Sequence, residues 1–185
     1  MKNLLCHSLA VAVLAAGVSL NVLAEPPSGQ VDFGKLAMPG NSGEFVEVQV
    51  NSNLLSLAAK LVEKQQPDAA KLLRGVQLVR VNVVGLTDEN RDELTKHVRQ
   101  IRHDLAAQGW ERNVNVQQKD GQDVGVYTKT RGGEALAGLA ITVIDPKDGV
   151  VLVNIVGDIK PEQVAALGEG LNIKPLEKIG EALKK

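Results

Sequence analysis

The feature that most restricts the fold is a run of four strand-like segments between Glu111 and Gly157, with no helical pattern among them. In the first pair, ERNVNVQQ and DVGVYTKT flank the turn Lys119-Asp120-Gly121-Gln122, and Asp-Gly favours a hairpin because its turn needs a positive φ. The second pair, ALAGLAITVI and VVLVNIVG, is joined by DPKDG at residues 145–149. A doubly wound parallel sheet needs a helix between successive strands, so this meander excludes it.

The second pair of strands is apolar on both sides, which predicts that these two strands occupy the middle of the sheet. Two further strands are predicted before the meander, in EFVEVQV and in VQLVRVNVV at residues 76–84. Two proline-led helices are predicted after it, one opening at Pro161 and one at Pro175.

Helical spacing fills the gaps between the early strands. The first predicted helix carries a stripe of Leu54, Ala58, Leu61 and Gln65 and is stopped by Pro67. A short helical turn over residues 68–73 follows it. A long helix is then predicted to be capped by Thr87 and ended by Gly109. Its apolar stripe is Leu94, Val98, Ile101 and Leu105.

The resulting order, β-α-β-α-β-β-β-β-α-α, predicts an α+β fold. We expect a two-layer sandwich in which helices pack on a mixed, mostly antiparallel sheet. The chain has 185 residues, and a domain of about 150 residues is the usual expectation, so a single domain over residues 44–185 is predicted.

The first 24 residues have the pattern of a secretory signal peptide. Lys2 supplies a positive start, an uncharged apolar run follows, and Val22-Leu23-Ala24 offers small residues for cleavage between Ala24 and Glu25. A retained membrane anchor is the alternative, because about 18 apolar residues can span a bilayer. A lipoprotein would need a cysteine at the end of the run, and the only cysteine, Cys6, lies near its start.

Residues 25–43 are rich in Pro, Gly, Ser and Asn, which predicts a flexible leader or tether before the domain. Val31, Phe33, Leu36 and Met38 interrupt it and could dock against the domain, but a partly ordered leader is the preferred interpretation.

Composition excludes several classes of function. Loss of residues 1–24 removes Cys6, so disulfides, a catalytic thiol and thiolate metal ligands are excluded in the cleaved chain. The formal net charge is −1, which removes the electrostatic basis for binding nucleic acid or anionic membranes. Sugar sites usually stack rings on aromatic faces, and Trp110 and Tyr127 are the only large amphipathic aromatics. We expect Trp110 to fill the corner after the long helix.

The stretch AGLAITVIDPKDGVVLVNIVGDIKPEQVAALG resembles the bacterial exported family of the domain of unknown function 4252. The resemblance lies in the hairpin strand that ends in residues 153–159, VNIVGDI, and in the helix start Pro161-Glu162-Gln163. It covers roughly Glu44 to Leu167. It implies a small exported protein and carries no catalytic role, since the family has no agreed activity.

Candidate catalytic and metal-binding residues are few. Glu89, Glu93 and His97 follow one another at four-residue spacing, so one helical face could offer two oxygen ligands and one nitrogen ligand to a divalent ion. A solvated face is the more common meaning of such a ladder, and no metal site is predicted. Serines at positions 28, 42, 52 and 56 lie in no nucleophile elbow, and Ser52 is expected to cap the first helix. The glycine pairs lack a phosphate-loop spacing.

These observations predict an exported, non-catalytic binding or interaction module of the bacterial cell envelope, periplasmic if the source is Gram-negative. No catalytic residue and no cofactor are predicted, and the oligomeric state stays open. An envelope protein is the expected partner, nucleic acid is not, and a membrane would be contacted only if the N-terminal segment is retained. The alternatives are a periplasmic hydrolase whose site is assembled from distant residues, or an accessory to envelope stress sensing. A flat sheet face with exposed Val, Leu or Ile would favour a protein partner.

Overall fold

A computed structural model describes residues 27–40, 43–132, 135–160 and 163. Its helices and strands follow the order β-α-α-β-α-β-β-β-β. The strands are β1 (Phe45–Asn51), β2 (Val76–Val84), β3 (Glu111–Gln117), β4 (Asp123–Arg131), β5 (Ala135–Asp145) and β6 (Gly149–Ile159). The helices are α1 (Ser52–Val62), α2 (Pro67–Gly75) and α3 (Arg91–Ala107). The predicted helices at Pro161 and Pro175 lie outside the described residues.

All six strands form one sheet in the order β1-β2-β6-β5-β4-β3. Every described pair of neighbouring strands is antiparallel. The α+β prediction is therefore confirmed, and the apolar strands β5 and β6 lie in the middle of the sheet as predicted. Strands β1 and β3 form the two edges.

The turns of the meander are the ones that the sequence predicts. Gly121 has φ +92° in the β3–β4 turn, and Gly149 has φ +109° at the end of the β5–β6 turn. The carboxylate of Asp145 accepts hydrogen bonds from the backbone N–H groups of Lys147 and Asp148, at 2.9 and 3.2 Å. A side chain that caps its own turn in this way fixes the register of the following strand.

One face of the sheet, here called the valine face, is built almost entirely of β-branched residues. Two complete rows cross all six strands in spatial order. One is Val46-Val83-Val151-Val143-Val124-Val116, and the next is Val48-Val81-Val153-Ile141-Val126-Val114. Helices α1 and α2 contribute Leu55 and Leu72 to the core on this face. Such side chains suit the pleated surface of a sheet, which explains the strong strand pattern of the sequence.

The opposite face, here called the α3 face, is covered by helix α3 and by residues 27–40, the leader segment. The predicted stripe of Leu94, Val98, Ile101 and Leu105 is buried on this side, so that prediction is confirmed. Helices therefore lie on both faces of the sheet. Among the described residues, no helix is long and apolar enough to cross a membrane.

The leader segment is docked on the sheet over its described length. Val31 and Phe33 are 5% and 1% exposed and belong to the core of the α3 face. Asn154 of β6, itself fully buried, accepts a hydrogen bond from Val31 N–H at 3.0 Å and donates one to the Gly29 carbonyl at 2.9 Å. Docking of this kind was the less favoured interpretation of the sequence. The docking is favourable because it buries apolar side chains of the leader segment and gives its buried backbone polar groups hydrogen-bond partners.

Two predictions about the early helices need correction. The buried side of α1 is Leu55 and Ala59, whereas Leu54 and Leu61 of the predicted stripe are exposed. Pro67 opens α2 at its first position, since α1 has already ended at Val62.

The caps of two helices also differ from prediction. Asn51, not Ser52, caps α1, because its side chain accepts a hydrogen bond from Leu54 N–H at 3.3 Å. Helix α3 begins at Arg91 after Asn90, whose side-chain oxygen accepts hydrogen bonds from the N–H and hydroxyl of Thr87 at 2.8 and 3.2 Å. Thr87 therefore belongs to a turn that precedes the helix, and Asn90 is the N-cap residue, although its side chain bonds back to Thr87 and not to a helical N–H.

Candidate interaction surface

The exposed large apolar side chains of the described residues are concentrated in one part of the sequence. Eight such residues are exposed, and seven of them lie between residues 38 and 61. They are Met38, Phe45, Val46, Val48, Leu54, Leu57 and Leu61; the eighth is Val116. Scattered exposed apolar residues are ordinary on protein surfaces, but these seven are grouped on β1, on the helix that directly follows it and in the segment before it, and such grouping favours a binding role. These seven residues are here called the 38–61 surface.

Strand β1 contributes its edge to this surface. Val46 and Val48 project on the valine face and are 37% and 44% exposed, although each pairs with a valine of β2. The Gly85 N–H donates to the Glu44 carbonyl at 2.7 Å, which fixes the alternation of the β1–β2 hydrogen bonds. Even-numbered β1 residues therefore bond to β2, and odd-numbered ones direct their backbone N–H and C=O outward.

Helix α1 carries two apolar stripes, and only one of them is buried. Leu55 and Ala59 contact the core, whereas Leu54, Leu57 and Leu61 are 54%, 55% and 75% exposed. Successive helical residues are rotated by about 100°, so Leu54 and Leu57 cannot share the direction of Leu55. The second stripe is therefore an unpaired apolar helix face in the described structure.

A charged group lies beside the β1 edge on the α3 face. The Arg80 guanidinium pairs with the Glu47 carboxylate at 2.9 Å and lies 5.9 Å from the centre of the Phe33 ring. The hydrogen bond from Arg80, followed by one from Asn82, lowers the pKa of Glu47 below its usual value. The negative charge of β1 is therefore balanced within the chain.

Glu47, Arg80 and Asn82 also line a cleft of about 270 Å³ between the leader segment and β1. Arg80 Nε and the side-chain oxygen of Asn82 are buried there without a hydrogen-bond partner among the described residues. Phe45 and Met38 form the apolar part of its wall. Because these two polar atoms have almost no exposed area, the surface that the cleft offers to a partner is mainly its apolar wall.

Comparison with protein families gives a match for most of the chain. The model of the family described as domain of unknown function DUF4252 matches residues 40–167. The chain belongs to this family. No curated protein and no solved structure matches the chain. The matched range begins just before β1 and includes all six strands, so the whole sheet is part of the DUF4252 domain.

In this DUF4252 chain the ladder of Glu89, Glu93 and His97, for which no metal site is predicted, does not lie along one helix. Helix α3 begins at Arg91, so Glu89 lies in the preceding turn while Glu93 and His97 lie on the helix. No group of three His, Cys, Asp or Glu residues close enough to hold a metal ion occurs in the described ranges. The proposed cleavage residues, Ala24 and Glu25, lie outside those ranges.

His97 has a structural contact that the sequence did not indicate. Its Nε2 lies 2.7 Å from the Phe33 carbonyl oxygen. A carbonyl oxygen can only accept, so Nε2 carries the hydrogen and donates it. This bond ties the leader segment to α3. A cleft of about 330 Å³ beside it is also lined by Asp32 and Asp104, but none of its described lining residues is a serine, threonine, cysteine or lysine nucleophile.

The other polar cluster joins α3 to the sheet. Arg102 donates to the Thr142 hydroxyl at 2.8 Å and to the Asp123 carboxylate at 2.7 Å. Its side chain is only 14% exposed and that of Asp123 only 20%. Trp110 is 6% exposed in the core at the exit of α3, which confirms its predicted corner position. The signal for the Arg102 cluster was a threonine inside the otherwise apolar strand β5.

Proposed function

We propose that this DUF4252 chain is a non-catalytic protein-interaction module that works outside the cytoplasm, in the cell envelope. The observation that carries the proposal is the 38–61 surface, which gathers seven of the eight exposed large apolar residues of the described structure. Exposed apolar side chains on β1 and α1 cost solubility, and a binding partner that covers them offsets that cost.

The chemistry of the described residues supports binding rather than catalysis. The clefts among these residues hold no pairing of a nucleophile with a histidine and a carboxylate, and two of the polar groups that line them serve structural contacts. His97 holds the leader segment, and Arg102 holds α3 on the sheet.

The export part of the proposal rests on the sequence of residues 1–24, with its single positive charge, apolar run and small residues before Glu25. It is tested by expressing the full chain in a Gram-negative host and fractionating the cells. We expect a periplasmic product whose N-terminal residue, read by mass spectrometry, is Glu25. A product of unchanged mass in the cytoplasm would overturn this part.

The binding part is tested by crosslinking the chain in its native envelope fraction and quantifying captured proteins. Leu57→Glu places a charge in the exposed stripe of α1, and Val116→Glu places one at a comparably apolar position outside the 38–61 surface. We expect a defined partner that the first variant loses about tenfold, as buried apolar contacts at hot spots imply, and that the second retains. Equal capture by both variants, or turnover in a broad hydrolase screen, would contradict the proposal.

A further inference from the structure

The two edges of the sheet differ in how well they are protected against pairing with another strand. Natural sheets guard an exposed edge with charges, prolines or bulges. Strand β3 has such guards, because Glu111 and Arg112 are exposed on it and its register with β4 shifts between Arg112 and Val114. Strand β1 pairs with β2 over seven residues without a shift and contains neither lysine nor proline.

The single charged residue of β1 does not protect this edge against pairing with another strand either. Glu47 is the only charged residue between Phe45 and Asn51, and it already pairs with Arg80 of the neighbouring strand. The odd-numbered residues of β1 direct their backbone groups away from β2, as the Gly85–Glu44 hydrogen bond shows. Within the described ranges, the edge therefore offers regular, unpaired and nearly neutral backbone beside exposed valines.

We propose that β1 pairs antiparallel with β1 of a second copy of this chain, which joins two sheets into one of twelve strands. The proposal deepens the proposed function and rests on it, since it names the occupant of one part of the 38–61 surface. The exposed stripe of α1 stays available to an envelope partner.

The register of this pairing follows from the hydrogen-bond alternation and the charges. Odd-numbered residues must pair with odd-numbered ones, so the two-fold axis passes through Glu47, Val48 or Gln49. An axis at Glu47 places like charges opposite each other, which destabilises a sheet. An axis at Gln49 would carry the pairing beyond Asn51 into helix α1.

Only an axis at Val48 uses all seven residues of β1 without these penalties. It places Glu47 opposite Gln49 and Val46 opposite Val50, with Val48 opposite its own copy. The paired valines extend the rows of the valine face across the axis, while Glu47 keeps its contact with Arg80. The pairing then covers the whole edge, because all seven residues of β1 in each copy take part in it and the valines make apolar cross-strand contacts.

The first test is disulfide crosslinking of Val48→Cys in a Cys6→Ser background, which leaves no other cysteine in the chain. Residues that face each other between hydrogen-bonded pairs have Cα atoms about 4.5 Å apart, within reach of a disulfide. Val116→Cys is the matched control, because it is similarly exposed on the same face of the other edge strand. We expect rapid dimer formation for Val48→Cys alone under mild oxidation.

The second test is sedimentation of the protein purified from cells that express the full chain. Gln49→Pro removes an outward N–H that β2 does not use. Gln117→Pro does the same on β3, where the Gln118–Gln122 bond fixes the alternation. We expect the wild type and Gln117→Pro to dimerise, and Gln49→Pro to raise the dimer dissociation constant at least about tenfold. Far-ultraviolet circular dichroism of both variants checks that they fold.

Several results would overturn self-pairing. They are a wild type that stays monomeric up to about 100 µM, equal crosslinking of the two cysteine variants, or a Gln49→Pro chain that folds and dimerises like the wild type. A monomer that instead pairs β1 with an extended peptide of another protein would assign the edge to that partner and also overturn the proposal.

The failure of this inference can be told apart from failure of the proposed function. A monomeric chain whose envelope partner is still lost on Leu57→Glu would end self-pairing and leave the interaction module intact. A Val48-centred dimer that captures no partner would leave self-pairing intact and remove the envelope partner.

Discussion

On the valine face, two rows of β-branched residues cross all six strands, whereas the neighbouring rows of the α3 face include Arg80, Asn82, Thr142 and Asn154. Helices pack on both faces, but they are held differently. Helices α1 and α2 rest on aliphatic side chains alone, while α3 and the leader segment are also tied by hydrogen bonds to the sheet. Aliphatic packing supplies most of the stability, and the polar groups decide which segment docks and where.

The largest effect is expected where the valine face is fully buried. Ile141→Ala removes a side chain with no exposed area from the middle of the row, and we expect a loss of about 2–5 kcal/mol in the free energy of unfolding. Urea unfolding measures it. The control is Val116→Ala in the same layer, which is 38% exposed and should cost less than about 1 kcal/mol. Similar losses for the two variants would show that the valine face is not a packed core.

The next effect concerns Asn154, whose side chain holds the leader segment on the α3 face. Asn154→Ala leaves the Val31 N–H and the Gly29 and Leu139 carbonyls without their side-chain partner. We expect a loss of about 1–3 kcal/mol. Because the leader segment loses its anchor, limited proteolysis should also cut residues 27–38 sooner, before the sheet unfolds. Asn115→Ala, at an exposed position of β3, is the control and should change neither measurement.

Much of the fold could be predicted from the sequence because its signals are local. The alternation in β2, the Asp-Gly turn and the double apolar character of β5 and β6 each depend on neighbouring residues, and each prediction is confirmed. The error on α1 has a physical reason. That helix has two apolar stripes about 150° apart, and only tertiary packing decides which one is buried.

The candidate surface could not be predicted in the same way. The edge position of β1 depends on strand order, which places β2 beside β6, more than 60 residues later in the chain. Docking of the leader depends on Asn154, which is 123 residues away from Val31. A lone asparagine inside the apolar run VVLVNIVG was the available signal, because a buried amide needs hydrogen-bond partners.

A smaller effect is expected for the ion pair that fastens α3. Asp123→Ala leaves Arg102 partly buried with only the Thr142 hydroxyl and the Asp123 backbone carbonyl as partners, which should cost about 1–2 kcal/mol after allowance for its partial exposure. The double variant Arg102→Met/Asp123→Ala should be less destabilised than the sum of the single variants. A double-mutant cycle of unfolding free energies measures this coupling. Strict additivity would mean that the pair does not link α3 to the sheet.

The smallest effect is a pH dependence confined to the polar side of β1. Hydrogen bonds from Arg80 and Asn82 hold the pKa of Glu47 below its usual value, so the unfolded chain binds the proton more readily than the folded chain. The contribution of Glu47 is therefore complete above the unfolded pKa and is lost as the pH falls through the lower, folded pKa, in the acid range below the usual glutamate value. The unfolding free energy of the wild type, less that of Glu47→Gln, should shrink across this range. A difference that stays constant with pH would show that Arg80 does not stabilise the Glu47 carboxylate. The Glu47 charge would then not be balanced by Arg80, and the pairing of β1 with a second β1 would have to overcome repulsion between the two Glu47 carboxylates.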